Sequence, residues 1–338
     1  MPKRNFFYKG LCELRSYPLT LVLLIAGTPL FSSNSPEPDL ASKSKEHRSE
    51  VVMLAVDKTT LQAELRGLSE GGKSFDVLGR FRIAIGKEKG DKVKKGDNRT
   101  PEGIYFSLNH IKEGDLLVSK YGKSAINLNY PNPMDKLANK TGYGIWLHGA
   151  GNDDRIASEN VTEGCVAFYN ADILKLTSWL QPQHGIVVIA EDLKEVNKPS
   201  EQEAVLKATQ DWAEGWKQRN LDSYMSAYSE GFAAKNGGKA GFRSYKARVF
   251  RSYQKMDVKM TLLHVVTHPK YALSLMNQEF SGDKRLFSKG RKMLYWIKEH
   301  GAWKIYKEEF DRYSVDPMEF SLEDLKKLGD AHSSLVVN

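Results

Sequence analysis

The order of its hydrophobic patterns most constrains how this chain can fold. Short apolar runs with strand-like alternation fill residues 51–192, and the only clear helical pattern among them covers residues 171–180. Beyond residue 200 the order reverses, with three helical patterns first and four long alternating segments after them. Segregated helices and strands are typical of an α+β unit. The sequence therefore predicts two domains of different architecture.

The first domain, residues 51–192, should be mainly β. Two apolar runs separated by a polar turn, residues 51–56 and 61–65, predict a hairpin. Further strand candidates are residues 75–85, 104–108, 125–128, 145–147 and 186–190. Pro182 and Gly185 end the one helical segment.

The second domain, residues 201–310, should follow a polar linker at 193–200. Val205, Thr209, Trp212 and Trp216 recur at helical spacing, and the next helical patterns cover residues 221–228 and 242–253. The strand candidates are residues 256–266, 271–280, 287–298 and 303–310. We expect three helices followed by a four-stranded antiparallel meander. A C-terminal tail, 311–338, should contain a short helix from Ser321 to Leu328.

The N-terminal segment predicts export. Basic residues precede an apolar stretch at Pro18–Gly27, and small polar residues follow it, as in a secretory signal over residues 1–33. A retained membrane anchor is the alternative, and it would be the chain's only membrane contact. Residues 34–50 should form a flexible leader. Both alternatives predict a periplasmic or cell-envelope protein.

Charge and cysteine content argue against a nucleic-acid-binding protein and against a disulfide-stabilised one. The formal net charge of +8 is partly due to the N-terminal segment, so the remainder is only mildly basic and nucleic acid is not an expected partner. The two cysteines are Cys12 and Cys165, and signal cleavage would leave one, which excludes a disulfide framework. Cys165 is then either a small buried hydrophobe or a nucleophile.

The surroundings of Cys165 favour the nucleophile. A strand candidate delivers His148 into the glycine-rich segment 149–151, and Gly164 directly precedes the cysteine. A thiol, an imidazole within reach and free backbone amides are what cysteine acyl transfer requires. The alternative is a histidine that is only a hydrogen-bonded polar residue at a strand end.

These motifs resemble the L,D-transpeptidase catalytic-domain family of bacterial cell-wall enzymes. The family pairs a His-Gly with a Ser/Thr-x-Gly-Cys signature, matched by His148–Gly149 and Thr162–Cys165, and the segment 96–105 resembles its TPxGxY strand. Glu163 and Ala167 replace a histidine and an arginine of many members. These departures, with Asn170 and the long segment 152–161, resemble the subgroup of helical-cell-shape D,L-carboxypeptidases.

The resemblance implies a β-sandwich with a short helix, and thiol chemistry on peptidoglycan stem peptides. Cys165 would attack the meso-diaminopimelate carbonyl and expel D-alanine, leaving a thioester. His148 would be its ion-pair partner and proton donor, oriented by the carbonyl of Gly149. The amides of Gly164 and Cys165 would bind the oxyanion. Water would complete a carboxypeptidase reaction; an amine would complete transpeptidation.

Substrate-binding candidates follow from the same comparison: Tyr143, Trp146, Arg155, Thr162 and Glu163. Strand packing is the alternative for Trp146, and a solvated loop position is the alternative for Arg155. No cofactor and no metal are expected, because the sequence contains neither a nucleotide-binding motif nor a third ligand near His264 and His268.

The subgroup often appends a domain that resembles nuclear transport factor two, a cone of helices on a curved sheet. The element order at 201–310 agrees with it, and core packing is the alternative role for Trp212, Trp216 and Tyr224. We expect a concave pocket lined by both tryptophans that positions substrate, or a contact with a second copy or a wall protein. A non-catalytic wall-binding module remains the alternative for the whole chain.

Overall fold

The computed structural model describes residues 52–68, 75–158, 160–182, 185–234, 237–283 and 286–312. The predicted signal or anchor, the leader and the helix from Ser321 lie outside these ranges. Within them, no helix is both long and apolar enough to cross a membrane.

The first domain is rich in strands, as the alternation predicted. Its strands are β1 (Val52–Asp57), β2 (Gln62–Leu68), β3 (Phe75–Gly86), β4 (Gly103–Lys112), β5 (Ser124–Leu128), β6 (Trp146–His148), β7 (Asn160–Thr162), β8 (Val166–Phe168) and β9 (Ile186–Ala190). Its helices are α1 (Val118–Tyr121), α2 (Pro133–Leu137) and α3 (Asn170–Trp179). The sequence did not reveal the three-residue strands β7 and β8, although it predicted β6, which is equally short, from the apolar run at 145–147.

The nine strands form one continuous sheet in the order β2-β1-β9-β4-β5-β6-β8-β3-β7. A further pairing joins β2, at one end of this order, to β3, which is next to the other end, so the sheet closes on itself. The enclosed core contains apolar side chains from both halves, among them Leu54, Leu65, Leu147 and Phe168, and α3 packs against it through Ile173. The site described below lies on the other face of β6 and β8.

The second domain confirms the predicted three helices and four-stranded meander. The helices are α4 (Pro199–Lys217), α5 (Leu221–Ser226) and α6 (Gly238–Ser252). The strands are β10 (Met256–His268), β11 (Tyr271–Gly282), β12 (Leu286–Glu299) and β13 (Ala302–Arg312), all antiparallel in sequence order. Trp212, Trp216 and Tyr224 are buried between the helices and the sheet. Core packing is therefore the role of these three aromatic residues.

The predicted linker at 193–200 is not a free spacer. A turn of 3-10 helix covers Leu193–Glu195, and α4 already begins at Pro199. Asn197 exchanges two hydrogen bonds with Thr267 of β10, at 2.8 and 2.9 Å. These hydrogen bonds join the polar segment to the second domain.

Both domains share a hydrophobic core at their junction. Met53, Ile104 and Ile186 from the first domain pack with Leu273 and Tyr295 from the second, and all five side chains are fully buried. Each Å² of apolar surface removed from water contributes about 25 cal/mol, so this shared core stabilises the observed packing of the two domains. The junction thus behaves as an extension of both cores.

Candidate active site

The pairing of β6 with β8 brings His148 and Cys165 to one face of the sheet. The two strands run parallel, with His148 opposite Ala167. Cys165 lies two residues before Ala167, so alternation directs its side chain to the face that carries His148. Both side chains are buried, with 2% of His148 and 1% of Cys165 exposed. The fold therefore brings together the thiol and imidazole that the sequence singled out.

The Gly149 carbonyl fixes the tautomer of His148. Its oxygen lies 2.5 Å from Nδ1, so Nδ1 carries the proton and donates it. Nε2 is buried and has no hydrogen-bond partner in the described part of the chain. Burial lowers the pKa of His148 to about 4, and the positive charges of Arg155 and Lys120 act in the same direction against the Gly149 bond. The resting imidazole is therefore neutral, with Nε2 as a proton acceptor.

A compact turn precedes Cys165. The hydroxyl of Thr162 donates to the carbonyl of Cys165 at 2.7 Å and accepts from the amide of Gly164 at 3.1 Å. Gly164 has a φ of +129°, which favours glycine, and a Cβ there would lie 2.6 Å from the carbonyl oxygen of Arg99. The thiol itself lies 3.6 Å from the carbonyl oxygen of Gly144.

This turn corrects two predicted roles. Thr162 is only 1% exposed and its hydroxyl is engaged on both sides, so it shapes the turn instead of contacting substrate. The amide of Gly164 is already bonded to Thr162. An oxyanion would have to displace that bond.

Aromatic side chains form one wall of the site. Tyr121 packs edge-on against His148, with ring centroids 5.3 Å apart, and against Trp146 at 5.0 Å. Trp146 shares the face of His148 on β6 and is half-buried. Tyr121, which no sequence motif marked, thus connects the predicted wall residue to the histidine. Tyr143 is instead 47% exposed, with the Lys95 ammonium over its ring.

Two cations stand near His148. Arg155 is half-buried in a 3-10 turn, Asp153–Ser158, within the segment expected to be an extended loop. Asp153 Oδ1 fixes this turn by accepting from the side-chain and backbone nitrogens of Asn170. Lys120 on α1 is buried, and its ammonium lies over the ring of Tyr121. Within the described residues neither cation forms an ion pair, so both are available to an anionic ligand.

Lys120 is the functional candidate that sequence analysis missed. It lies far from the motifs in sequence, and only the packing of α1 beside β6 brings it near His148. Glu163 is half-buried within the turn 162–165, which we name the nucleophile turn after the predicted role of Cys165. Among the described residues, no group of three or more His, Cys, Asp or Glu side chains is arranged to hold a metal ion.

The second domain contains a pocket of about 410 Å³. Its lining includes Phe232, Phe242, Tyr245, Arg248 and Glu308. The prediction that Trp212 and Trp216 would line this pocket is wrong, because both are packed in the core beneath it.

Buried charges lie below this pocket. Lys292 pairs with Glu308 at 3.0 Å, and the ammonium of Lys246 lies 4.1 Å from the ring centroid of Trp216. Burial lowers the pKa of Lys246 to about 8, although the Glu308 carboxylate opposes this change.

Each of the two domains matches a known protein family. Residues 54–189 match the L,D-transpeptidase catalytic domain, and residues 204–309 match the Cds6 C-terminal NTF2-like domain. No curated protein matches the chain. The first domain is thus an L,D-transpeptidase catalytic domain, of an enzyme family that acts on peptidoglycan.

Solved structures share the two-domain arrangement. Bd1075 of Bdellovibrio bacteriovorus is 27% identical, with a TM-score of 0.67, over 78% of this chain and 94% of that one. Pgp2 of Campylobacter jejuni, a helical cell shape determining protein, is 25% identical, with a TM-score of 0.59, over 77% and 91%. This chain therefore carries an L,D-transpeptidase catalytic domain followed by an NTF2-like domain, which confirms the resemblance.

Proposed function

We propose that this chain trims peptidoglycan stem tetrapeptides by cleaving the bond between meso-diaminopimelate and D-alanine through a thioester on Cys165. One observation carries the proposal. His148 Nδ1 is committed to the Gly149 carbonyl, so Nε2 remains an unpartnered base on the sheet face that also carries the Cys165 thiol. The family match of this domain supports peptidoglycan as the substrate class.

The geometry supports general-base attack instead of a standing ion pair. Because the pKa of His148 is about 4, the imidazole is neutral before substrate binds. Nε2 takes the thiol proton as Sγ attacks the carbonyl carbon, and the oxyanion accepts a hydrogen bond from the Cys165 amide. The imidazolium then gives its proton to the amine of D-alanine as the C–N bond breaks. The product is a thioester and free D-alanine.

The leaving D-alanine carries a carboxylate close to the scissile bond. Arg155 and Lys120 are both positively charged. Each can donate a charge-assisted hydrogen bond to this carboxylate. Their proximity to His148 places that carboxylate beside the proton donor. We therefore assign substrate-carboxylate binding to both residues, with Trp146 and Tyr121 as the apolar wall.

Hydrolysis is our preferred fate for the thioester. Water can use the same base, since His148 Nε2 is again neutral once D-alanine has taken its proton. Glu163 lies in the nucleophile turn at a position where many relatives carry a histidine. Tyr143 lies at the rim of the site, where an incoming water or amine would pass it. Transfer to an amine, which gives a cross-link, is the alternative through the same intermediate.

Two wider roles are part of the proposal. The N-terminal signal or anchor would deliver the enzyme to the periplasm, where its substrate occurs. The 410 Å³ pocket of the second domain, aromatic and charged, fits a polar glycopeptide and would help position the wall or a wall protein.

Product analysis tests the reaction. The purified protein is incubated with a disaccharide tetrapeptide, with and without an added D-amino acid. The products are identified from their masses by mass spectrometry. Tripeptide with free D-alanine in both samples supports trimming. Exchanged or dimeric products would establish transpeptidation, and an unchanged tetrapeptide would refute the proposed bond specificity.

A further inference from the structure

A turn of the second domain reaches the catalytic domain next to the TPxGxY segment. Lys270 lies in this turn, between β10 and β11, and its ammonium contacts Asp91 at 2.6 Å and Glu102 at 2.8 Å. The amide of Glu102 in turn donates to the carboxylate of Asp91 at 2.8 Å. Lys140 and Lys58 of the catalytic domain each pair with one of these carboxylates, at 2.7 Å, whereas Lys270 bridges the two. One ammonium from the second domain thus links both ends of the segment 91–102, which we name the clamp loop.

Tyr271, the next residue, holds the strand that follows the clamp loop. Its hydroxyl accepts from the amide of Ile104 at 2.6 Å and from Asn132 at 2.8 Å, and it donates to the carbonyl of Ile104 at 3.0 Å. A hydroxyl has one proton and two lone pairs, so all its capacity is used inside the other domain. A Cβ at Gly103 would lie 2.8 Å from this hydroxyl, so the glycine of the TPxGxY segment admits the tyrosine.

The clamp loop is internally rigid. Lys92 and Asp97 form a buried ion pair at 2.6 Å. The Asp97 carboxylate also accepts from the amides of Val93 and Lys94, at 2.7 and 2.9 Å. Although burial alone would raise it, these bonds lower the pKa of Asp97 to about 2. The loop therefore moves as a unit when its ends move.

The clamp loop contacts the nucleophile turn at Gly164, and it also contacts the segment that leads to Gly144. The carbonyl of Arg99 packs directly on Gly164, the residue before Cys165. Val93 accepts from the amide of Thr141 at 3.0 Å, and the Lys95 amide donates to the Thr141 hydroxyl at 3.1 Å. Three residues after Thr141, the carbonyl oxygen of Gly144 lies 3.6 Å from the Cys165 thiol. Two of the contacts around Cys165 thus depend on this loop.

We propose that Lys270 and Tyr271 are positioning residues for Cys165, so that the second domain helps to set the geometry of the catalytic thiol through the clamp loop. The inference rests on the proposed role of Cys165 as nucleophile. Neither residue touches the substrate. Displacement of a reacting atom by about 1 Å can cost about a hundredfold in rate, so a modest movement of the loop would be measurable.

The test uses the full chain with Lys270→Ala, Lys270→Arg and Tyr271→Phe. The matched control is Lys289→Ala, which removes another lysine–glutamate pair of the second domain, with Glu279 at 2.8 Å, away from the junction. Three quantities are measured: kcat and KM for D-alanine release, the rate of Cys165 alkylation by iodoacetamide from the mass of its tryptic peptide, and the thermal transition.

We expect Lys270→Ala and Tyr271→Phe to lower kcat about tenfold while KM stays within about twofold, because the carboxylate-binding cations are untouched. Alkylation should become about threefold faster, since a loosened loop exposes a thiol that is now 1% exposed. Lys270→Arg should retain kcat within about threefold, and Lys289→Ala should match the wild type.

Wild-type kcat and alkylation in both Lys270→Ala and Tyr271→Phe would overturn the inference. So would a loss of kcat that Lys289→Ala shares, because that would reflect general destabilisation. Alkylation does not depend on peptidoglycan. If the wild type released no D-alanine, the proposed function would fail while the alkylation rates would still decide whether the clamp acts on Cys165.

Discussion

Each domain buries titratable groups beside aromatic rings, but the two sites are organised differently. In the catalytic domain His148 is neutral and its Nε2 has no partner among the described residues. In the second domain Lys292 and Glu308 satisfy each other, and Tyr228 donates a further hydrogen bond to Glu308 at 2.9 Å. Burial shifts pKa values in both, so a shifted pKa alone does not identify catalysis. The distinguishing feature of the first site is an imidazole nitrogen with no partner among the described residues, on the same sheet face as a thiol.

The largest expected effect is the loss of turnover when the thiol of the catalytic domain is removed. Cys165→Ala should lower turnover at least about a thousandfold, because the proposed thioester forms on the Cys165 thiol. The thermal transition should fall by only a few degrees, since one small buried side chain is truncated. Tetrapeptide turnover and calorimetry measure both quantities. Cys12→Ala is the matched control and should keep wild-type turnover; residual activity above a tenth in Cys165→Ala would exclude covalent catalysis there.

The second prediction concerns the stability that charge pairing gives the second domain. Lys292→Met should lower the free energy of unfolding by about 3 kcal/mol, because it leaves the Glu308 carboxylate without its ion-pair partner. Urea denaturation measures the change. Adding Glu308→Gln should restore part of the loss, since both charges are then absent.

Lys289→Met is the control for this comparison. It lies on the same strand, β12, but its pair with Glu279 is one-third exposed, so its loss should cost under about 1 kcal/mol. Equal losses for Lys292→Met and Lys289→Met would show that burial does not distinguish the two pairs.

The third prediction concerns the cations near His148. Arg155→Gln and Lys120→Met should each raise the KM for tetrapeptide about tenfold, the effect of losing one charge-assisted hydrogen bond to a carboxylate. Lys123→Met removes an exposed lysine of the same segment and should leave the KM unchanged. A substrate with an amidated D-alanine should lose the dependence on both cations; retention of it would contradict carboxylate binding.

The smallest effect is a displacement of the pH profile. His148 must be neutral to accept the thiol proton, so kcat/KM should be retained as the pH falls from 6.5 and be lost only near pH 4. Lys120→Met removes a positive charge that disfavours the imidazolium, so the acid limb should move upward by less than about one pH unit. Steady-state rates between pH 3.5 and 8 test this. An acid limb near 6.5 in the wild type would mean that His148 is solvated.

The sequence predicted the elements whose signal is local and repeated. Long alternation revealed β10 to β13, and helical spacing revealed α4 with Trp212 and Trp216 on its buried face. It did not reveal β7 and β8, or the 3-10 turn at Asp153–Ser158, whose polar residues resemble a loop. The polar composition of 193–200 did not indicate its hydrogen bonds to Thr267, which lies far along the chain.

By itself, then, the sequence determined the two-domain order and singled out Cys165 and His148 as the candidate nucleophile and base, because motif spacing and hydrophobic periodicity are local properties of the chain. Only the tertiary structure decided that His148 is neutral, that Thr162 shapes the nucleophile turn, and that Lys270 and Tyr271 reach across to the clamp loop. These properties depend on burial and on contacts between distant segments. Both arise from strand register and domain packing, which no local pattern encodes.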